Sequence, residues 1–201
     1  MIMELGQAGD LAGEGLAYTY RPSLMGAPWE FKLTAYGLQW SAGSKSGRVA
    51  WSDVRRVRMS YRPASMQSHR FITELWADNA PKLQIVSSSW KSLVEQERFD
   101  RPYSAFVAEL HRCIAQSGAS PRFEQGSNPL IYWPGFVIFT GMGLTLLLLI
   151  VRALQDGAMG GAAFIGAFFV LFLWQSGNFF HRNRPGVYRP DALPSVLLPK
   201  G

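Results

Sequence analysis

Hydrophobic positions along this chain follow three patterns in turn: short alternating stretches, then a spacing of three to four, then two unbroken apolar runs. The unbroken runs are the strongest signal. They occupy 130–152 and 158–180, and each is long enough to cross about 30 Å of hydrocarbon as a helix rising about 1.5 Å per residue. A bilayer core offers no water to peptide groups, so both are predicted to be transmembrane helices. The five residues at 153–157 join them as a tight turn, which makes a hairpin. Ahead of it, 16–20, 29–36, 38–41, 48–51, 54–61, 70–77 and 82–87 read as short β segments separated by turn residues such as Arg21-Pro22, Tyr36-Gly37 and Asp78-Asn79. Alternation places Phe31, Leu33 and Ala35 on one face of their strand, and Val57, Met59 and Tyr61 on one face of theirs. These faces are expected to form a core.

After Ser92 the period lengthens. Phe99, Tyr103, Phe106, Leu110 and Ile114 make a helical stripe, with Asp100 as the expected N-cap, Pro102 in the first turn and Gly118 beyond the end. Seven strands and one amphipathic helix predict an α+β fold, an antiparallel barrel or sandwich covered by that helix. Around this core, 1–15 reads as a flexible leader, 118–129 as a Gly/Ser/Pro linker and 181–201 as a basic, Pro-rich tail. The segments Thr34-Ala-Tyr-Gly-Leu-Gln-Trp40 and Val49-Ala-Trp-Ser-Asp-Val-Arg-Arg-Val-Arg58 resemble the β-turn-β and Asp-Val/Ile segments of bacterial PH-like (pleckstrin-homology-like) domains. The resemblance covers 16–117 and implies a seven-stranded PH-like barrel with a C-terminal capping helix. Such domains often accompany transmembrane segments. The Lys/Arg cluster that some eukaryotic PH domains place around the first hairpin is absent here.

Charge adds orientation. Lys and Arg number 20 against 14 Asp and Glu, an excess shared between the region before the hairpin and the tail, and too moderate for a dedicated nucleic-acid binder. Arg112 and Arg122 precede the first span and Arg182, Arg184 and Arg189 follow the second, while the turn carries only Arg152 beside Asp156. Positive flanks stay in the cytoplasm, so both termini are expected there, in a bacterial inner membrane. The first fifteen residues lack a basic n-region and an apolar core of signal-peptide length, so no cleaved export signal is expected. A single cysteine, Cys113, rules out an intramolecular disulfide.

Three groups of residues are candidate contact sites. Arg56, Arg58 and Arg62 share one strand face by even spacing, with Arg55 adjacent; they make either a solvated face paired with Glu74 or Glu30, or a face for anionic lipid headgroups. Gly157 with Gly161, and Ala158 with Ala162 and Gly166, recur every four residues and suit close helix approach, either by the first span or by another membrane protein or a second copy. In the tail, Tyr188, Leu193, Leu197 and Leu198 are too apolar for an idle segment, and are expected to dock on the protein's own domain or on a partner. Catalysis finds little support. His69, His111 and His181 are scattered, Cys113 sits beside the apolar stripe, no ligands fall at metal spacing, and no cofactor motif is present. The expectation is a non-enzymatic, membrane-anchored interaction or scaffold protein; the alternatives are an accessory or assembly subunit docking through the hairpin, and a small oligomeric transporter or membrane enzyme.

Overall fold

The computed structural model describes residues 15–63, 69–91 and 96–199. The leader expected over 1–15 lies outside them, except for Gly15. The chain divides into two compact units, one of Met1–Val57, Glu74–Arg122 and Pro199–Gly201, the other of Arg58–Thr73 and Phe123–Leu198.

The first unit begins with an antiparallel meander of β1 (Ala17–Tyr20), β2 (Trp29–Thr34), β3 (Gly37–Ala42) and β4 (Lys45–Ala50), in spatial order. The pairs Phe31↔Trp40 and Leu33↔Leu38 fix the register, and the pleat buries Tyr18, Tyr20, Phe31, Leu33, Leu38, Trp40 and Val49 on one face. Gly37 is required at the β2–β3 turn, because a Cβ there would lie 2.1 Å from the Val49 carbonyl oxygen. A short 3₁₀ turn, Trp51–Asp53, leads into β5 (Val54–Pro63), and β6 (His69–Ala77) and β7 (Leu83–Val86) follow. The units share β5 and β6, with Val54–Val57 and Glu74–Ala77 belonging to the first. Two further short strands, β8 (Ser88–Trp90) and β9 (Gln96–Arg98), pair with each other ahead of α1 (Asp100–Gln116).

The helix buries Tyr103, Phe106, Leu110 and Ile114 of the expected stripe, together with Val107 and His111, while Phe99 lies ahead of it and is half-buried. Phe106 lies 5.4 Å from Tyr18 and 6.4 Å from Phe31, centroid to centroid, so α1 packs on the aromatic face of the meander. Its N-cap is Phe99, not Asp100, and it carries no side-chain cap bond. Asp100 is instead the first helical residue and pairs with Arg98, where its charge still favours the positive end of the helix dipole. Tyr18 and Tyr20 donate their hydroxyls to the carbonyls of Val86 and Gln84, at 2.6 and 2.5 Å, which ties β1 to β7.

The second unit contains the hairpin. Its helices are α2 (Pro129–Gln155) and α3 (Met159–Arg182), 27 and 24 residues long, each covering most or all of its apolar run. Asn128 caps α2 by accepting from the Leu130 amide at 3.0 Å, and Pro129 takes the first position, where no intrahelical donor is needed. Gly157, at φ +73°, turns the chain between them. The segment expected as a linker contains a strand, β10 (Arg122–Gln125), and the tail contributes β11 (Gly186–Val187), paired as Glu124↔Val187 and Gln125↔Gly186.

The larger sheet has the order β11-β10-β5-β6-β7, and the strands form no closed barrel among the described residues. The reason is visible at β5. Its free edge takes β10 rather than β4, which pairs with β3 alone. The fold is therefore mixed α+β, sheet-rich in its N-terminal part, with two apolar helices near the C-terminus long enough to span a membrane.

Candidate functional site at the base of the helical hairpin

In the second unit, the end of α3, the start of α2 and strand β5 meet around one residue, Asn183. It ends α3 and is completely buried. Its Oδ1 accepts from the Tyr61 amide at 3.0 Å, its Nδ2 donates to the Phe179 carbonyl at 3.2 Å, and its own carbonyl accepts from the Ser127 amide at 3.0 Å. One amide side chain thus continues the β5 edge where β10 stops. Beside it the Gly126 amide donates to the Met59 carbonyl at 2.8 Å. Higher up, the Tyr132 hydroxyl donates to the Phe180 carbonyl at 3.2 Å, joining the two helices at the same end.

Replacing Asn183 by leucine keeps the volume but leaves the buried Tyr61 N–H without its acceptor, a loss of about 2 kcal/mol. The expected result is faster hydrogen exchange at the Tyr61 amide in the full chain, with α2 and α3 still protected in the bilayer.

Cations surround this junction. The Arg182 guanidinium lies 4.9 Å from the Tyr61 ring centroid and 5.9 Å from that of Phe71, and its Nε donates to Asn178 Oδ1 at 3.0 Å. Burial pushes the Tyr61 phenol above its ordinary range, against the opposing pull of Arg182. Arg62 and Arg184 are exposed on either side in sequence of the Tyr61–Asn183 bond.

The expected basic ribbon is dispersed. In the first unit Arg55 Nε donates to Asp78 at 2.8 Å and Arg56 stacks 4.0 Å above the Trp76 ring. In the second, Arg58 Nε donates to Glu124 Oε2 at 3.0 Å in a mostly buried ion pair, and Arg62, like Arg55, is exposed to solvent. Glu74 binds Lys82 at 2.9 Å and Gln84 at 2.7 Å.

The small-residue positions of α3 also separate. Ala162 is buried, Gly161 is exposed, and a Cβ at Gly166 or Gly157 would meet no atom within 4 Å. Ala158 caps the helix start. The two helices meet instead through aromatic rings, with Phe139 5.0 Å from Phe172 and 4.9 Å from Phe180. No protein-family model, curated protein or solved structure matches the chain.

Of the tail residues, Tyr188 lies against β10: it donates its amide to the Phe123 carbonyl at 3.3 Å, and its ring is tilted against that of Phe123 at 5.5 Å; Leu197 is buried, while Leu193 and Leu198 are half-buried. Neither Asn183 nor the strand character of β10 carries a sequence signal, since one is a lone amide in a basic segment and the other lies among turn-forming residues. In the first unit, Cys113 lines a cleft of about 580 Å³ with Trp51, Thr34 and Gln39. Burial and the neighbouring Glu109 carboxylate raise its pKa, which keeps it a thiol and works against nucleophilic use.

Proposed function

We propose that this chain is a membrane-anchored interaction or scaffold protein, crossing the bacterial inner membrane twice and presenting a PH-like domain at its cytoplasmic face. The observation that carries the reading is the apolar surface of α2 and α3: none of the most apolar stretch of α2 and 6% of that of α3 is buried within the protein. Helices of this composition need a solvent as apolar as themselves, and at about 1.5 Å per residue both exceed the roughly 30 Å of hydrocarbon. Arg182, Arg184 and Arg189 beyond α3, against Arg152 paired with Asp156 at the turn, favour cytoplasmic termini. The succession of a four-stranded meander, β5–β6–β7 and a closing helix supports the PH-like assignment.

The mechanism is proximity. The hairpin keeps the domain at the bilayer, so partners already at the membrane meet it at high effective concentration. Alkaline carbonate washing and labelling in intact cells test this. The expected result is a chain that resists carbonate, with a tag after residue 201 shielded from outside and a cysteine placed at Gly157 reachable. Release by carbonate, or a labelled C-terminal tag, would refute it.

A second reading, an accessory subunit docking through the hairpin, draws on the open backbone at Gly141, Gly160 and Gly166. Mass measurement after mild-detergent extraction separates the two, because fixed co-migrating partners favour the subunit and a lone chain favours the scaffold.

A further inference from the structure

We infer that the free edge of β4 is a docking site for an acidic, extended segment of a partner protein, which adds to the meander as a further strand. This deepens the interaction reading above, on which it rests, by naming the chemistry of the partner. Among the described residues no strand lies beyond β4, which ends the order β1-β2-β3-β4. The loop between β3 and β4 is Gly43-Ser44, with Gly43 at φ +63°, so Ala42↔Lys45 is a hydrogen-bonded closing pair. Alternation then gives Lys45, Gly47 and Val49 the bonds to β3 and turns the N–H and C=O groups of Ser46 and Arg48 outward. Residues Lys45, Ser46, Gly47 and Arg48 are all exposed. Such a row of backbone groups is a template for another strand.

Charge selects the partner. The stretch 37–50, which makes β3 and β4, contains Lys45 and Arg48 and no Asp or Glu. A second copy pairing edge to edge would gather the cations of both chains along one seam. A strand with carboxylates beside Arg48 and Lys45 makes favourable cross-strand pairs instead.

The edge has room for such a strand on both faces of the sheet. On the inner face Gly47 has no side chain, and a Cβ there would lie 3.0 Å from Cζ2 and Nε1 of Trp40. The indole therefore reaches over β4, where an apolar residue of the incoming strand opposite Gly47 would pack beside it. Trp40 Nε1 is buried and lacks an acceptor, so the meander keeps an unsatisfied donor next to this edge. On the outer face a concavity of about 490 Å³ extends from Lys32 and Gln39 over Ser41 to Ser46 and Arg48. The short side chains of Ser41 and Ser46 leave space beside Arg48 for a long acidic one. The segment recognised thus alternates carboxylates on the outer face with an apolar residue on the inner one.

The test uses the full chain in phosphatidylcholine nanodiscs and, as probes, an acetylated peptide of alternating Glu and Val and its Lys–Val counterpart. The Glu–Val peptide is expected to bind and to protect the Ser46 and Arg48 amides from hydrogen exchange, leaving those of Gly47 and Val49, already bonded to β3, unchanged. That pattern is read on the unmodified chain and does not depend on how variants fold. Lys45→Glu/Arg48→Glu should weaken binding on the order of tenfold, since each cross-strand charge pair contributes up to about fivefold, and should favour the Lys–Val peptide instead. Ser46→Pro removes an outward N–H and no bond to β3, so it should abolish binding with the meander still folded. Absence of binding, equal binding of the two peptides by wild type, or protection outside β4 overturns the site. Self-association of the chain that Ser46→Pro abolishes gives the edge to a second copy and overturns the acidic partner. Release of the chain by carbonate defeats the membrane reading alone, whereas a carbonate-resistant chain that ignores both peptides defeats this site alone.

Discussion

Replacing Gly126 by valine should destabilise the base of the hairpin by roughly 4 kcal/mol, combining the cost of a left-handed backbone for a side chain with that of overpacking. Gly126 has φ +75°, and a Cβ there would lie 2.4 Å from the carbonyl oxygens of both Asn183 and Arg184. Those oxygens belong to backbone, which cannot rotate away as a long side chain can. Either the Gly126 bond to Met59 or the Ser127 bond to Asn183 has to open. The expected outcome is loss of hydrogen-exchange protection at Gly126, Ser127 and Tyr61 in the full chain reconstituted in nanodiscs, with a lower urea midpoint for the same unit. Gly118 supplies the comparison. It has φ +74°, but a Cβ there meets nothing within 4 Å, so Gly118→Val carries the conformational cost alone. Equal effects of the two substitutions would show that close approach at the junction is not what Gly126 provides.

That junction was also the part least legible in the sequence. The seven segments read from alternation each contain a strand, and the stripe from Tyr103 to Ile114 is the buried face of α1, because burial on one side writes its period into the residues. The hairpin was legible for a simpler reason, since two long uncharged runs have few other homes. Strands β10 and β11 left no such trace: they have four and two residues, lie among Gly, Ser and Pro, and exist through pairing between segments some sixty residues apart.

Periodicity assigns a residue to a face without naming what it meets there. Even spacing put Arg56, Arg58 and Arg62 together, but Arg58 finds Glu124 in the supposed linker and Arg56 finds the Trp76 ring. The recurrence of Gly and Ala in α3 suggested a backbone-to-backbone contact, while Phe139, Phe172 and Phe180 fill the space between the helices. The barrel failed to close for a related reason, since the edge of β5 was claimed by residues whose strand character appears only after folding.

These particulars change how the hairpin is connected. Within the second unit, the polypeptide entering α2 is bonded to β5 and the polypeptide leaving α3 is bonded to both. Movement of α3 along its axis would pull on the Tyr61 amide through Asn183, without an intervening flexible segment.

Acid should weaken the sheet-rich unit before its carboxylates titrate, and His111 is the cause. Its ring is completely buried in α1, with Nδ1–H donating to the Val107 carbonyl at 2.7 Å. Burial disfavours the charged form and lowers its pKa from 6.5 to about 4, while the bond to Val107 pulls weakly the other way. Between those two values the unfolded chain binds a proton that the folded chain refuses, so stability rises with pH across the window. The contribution is complete above about pH 6.5 and is lost progressively as pH falls, reaching about 3 kcal/mol at pH 4. Asp78 and Glu109 have lowered pKa values beside Arg55 and Arg112, so their contributions fade only once unfolded carboxylates begin to protonate, below about pH 5. The fall from pH 6.5 to 5, about 2 kcal/mol, therefore belongs to the imidazole. Urea titrations of the full chain in nanodiscs should show a falling midpoint over that range in wild type and a nearly flat one in His111→Leu. A wild-type midpoint that does not move between pH 6.5 and 5 would mean that the ring takes up its proton without opening the core between α1 and the meander.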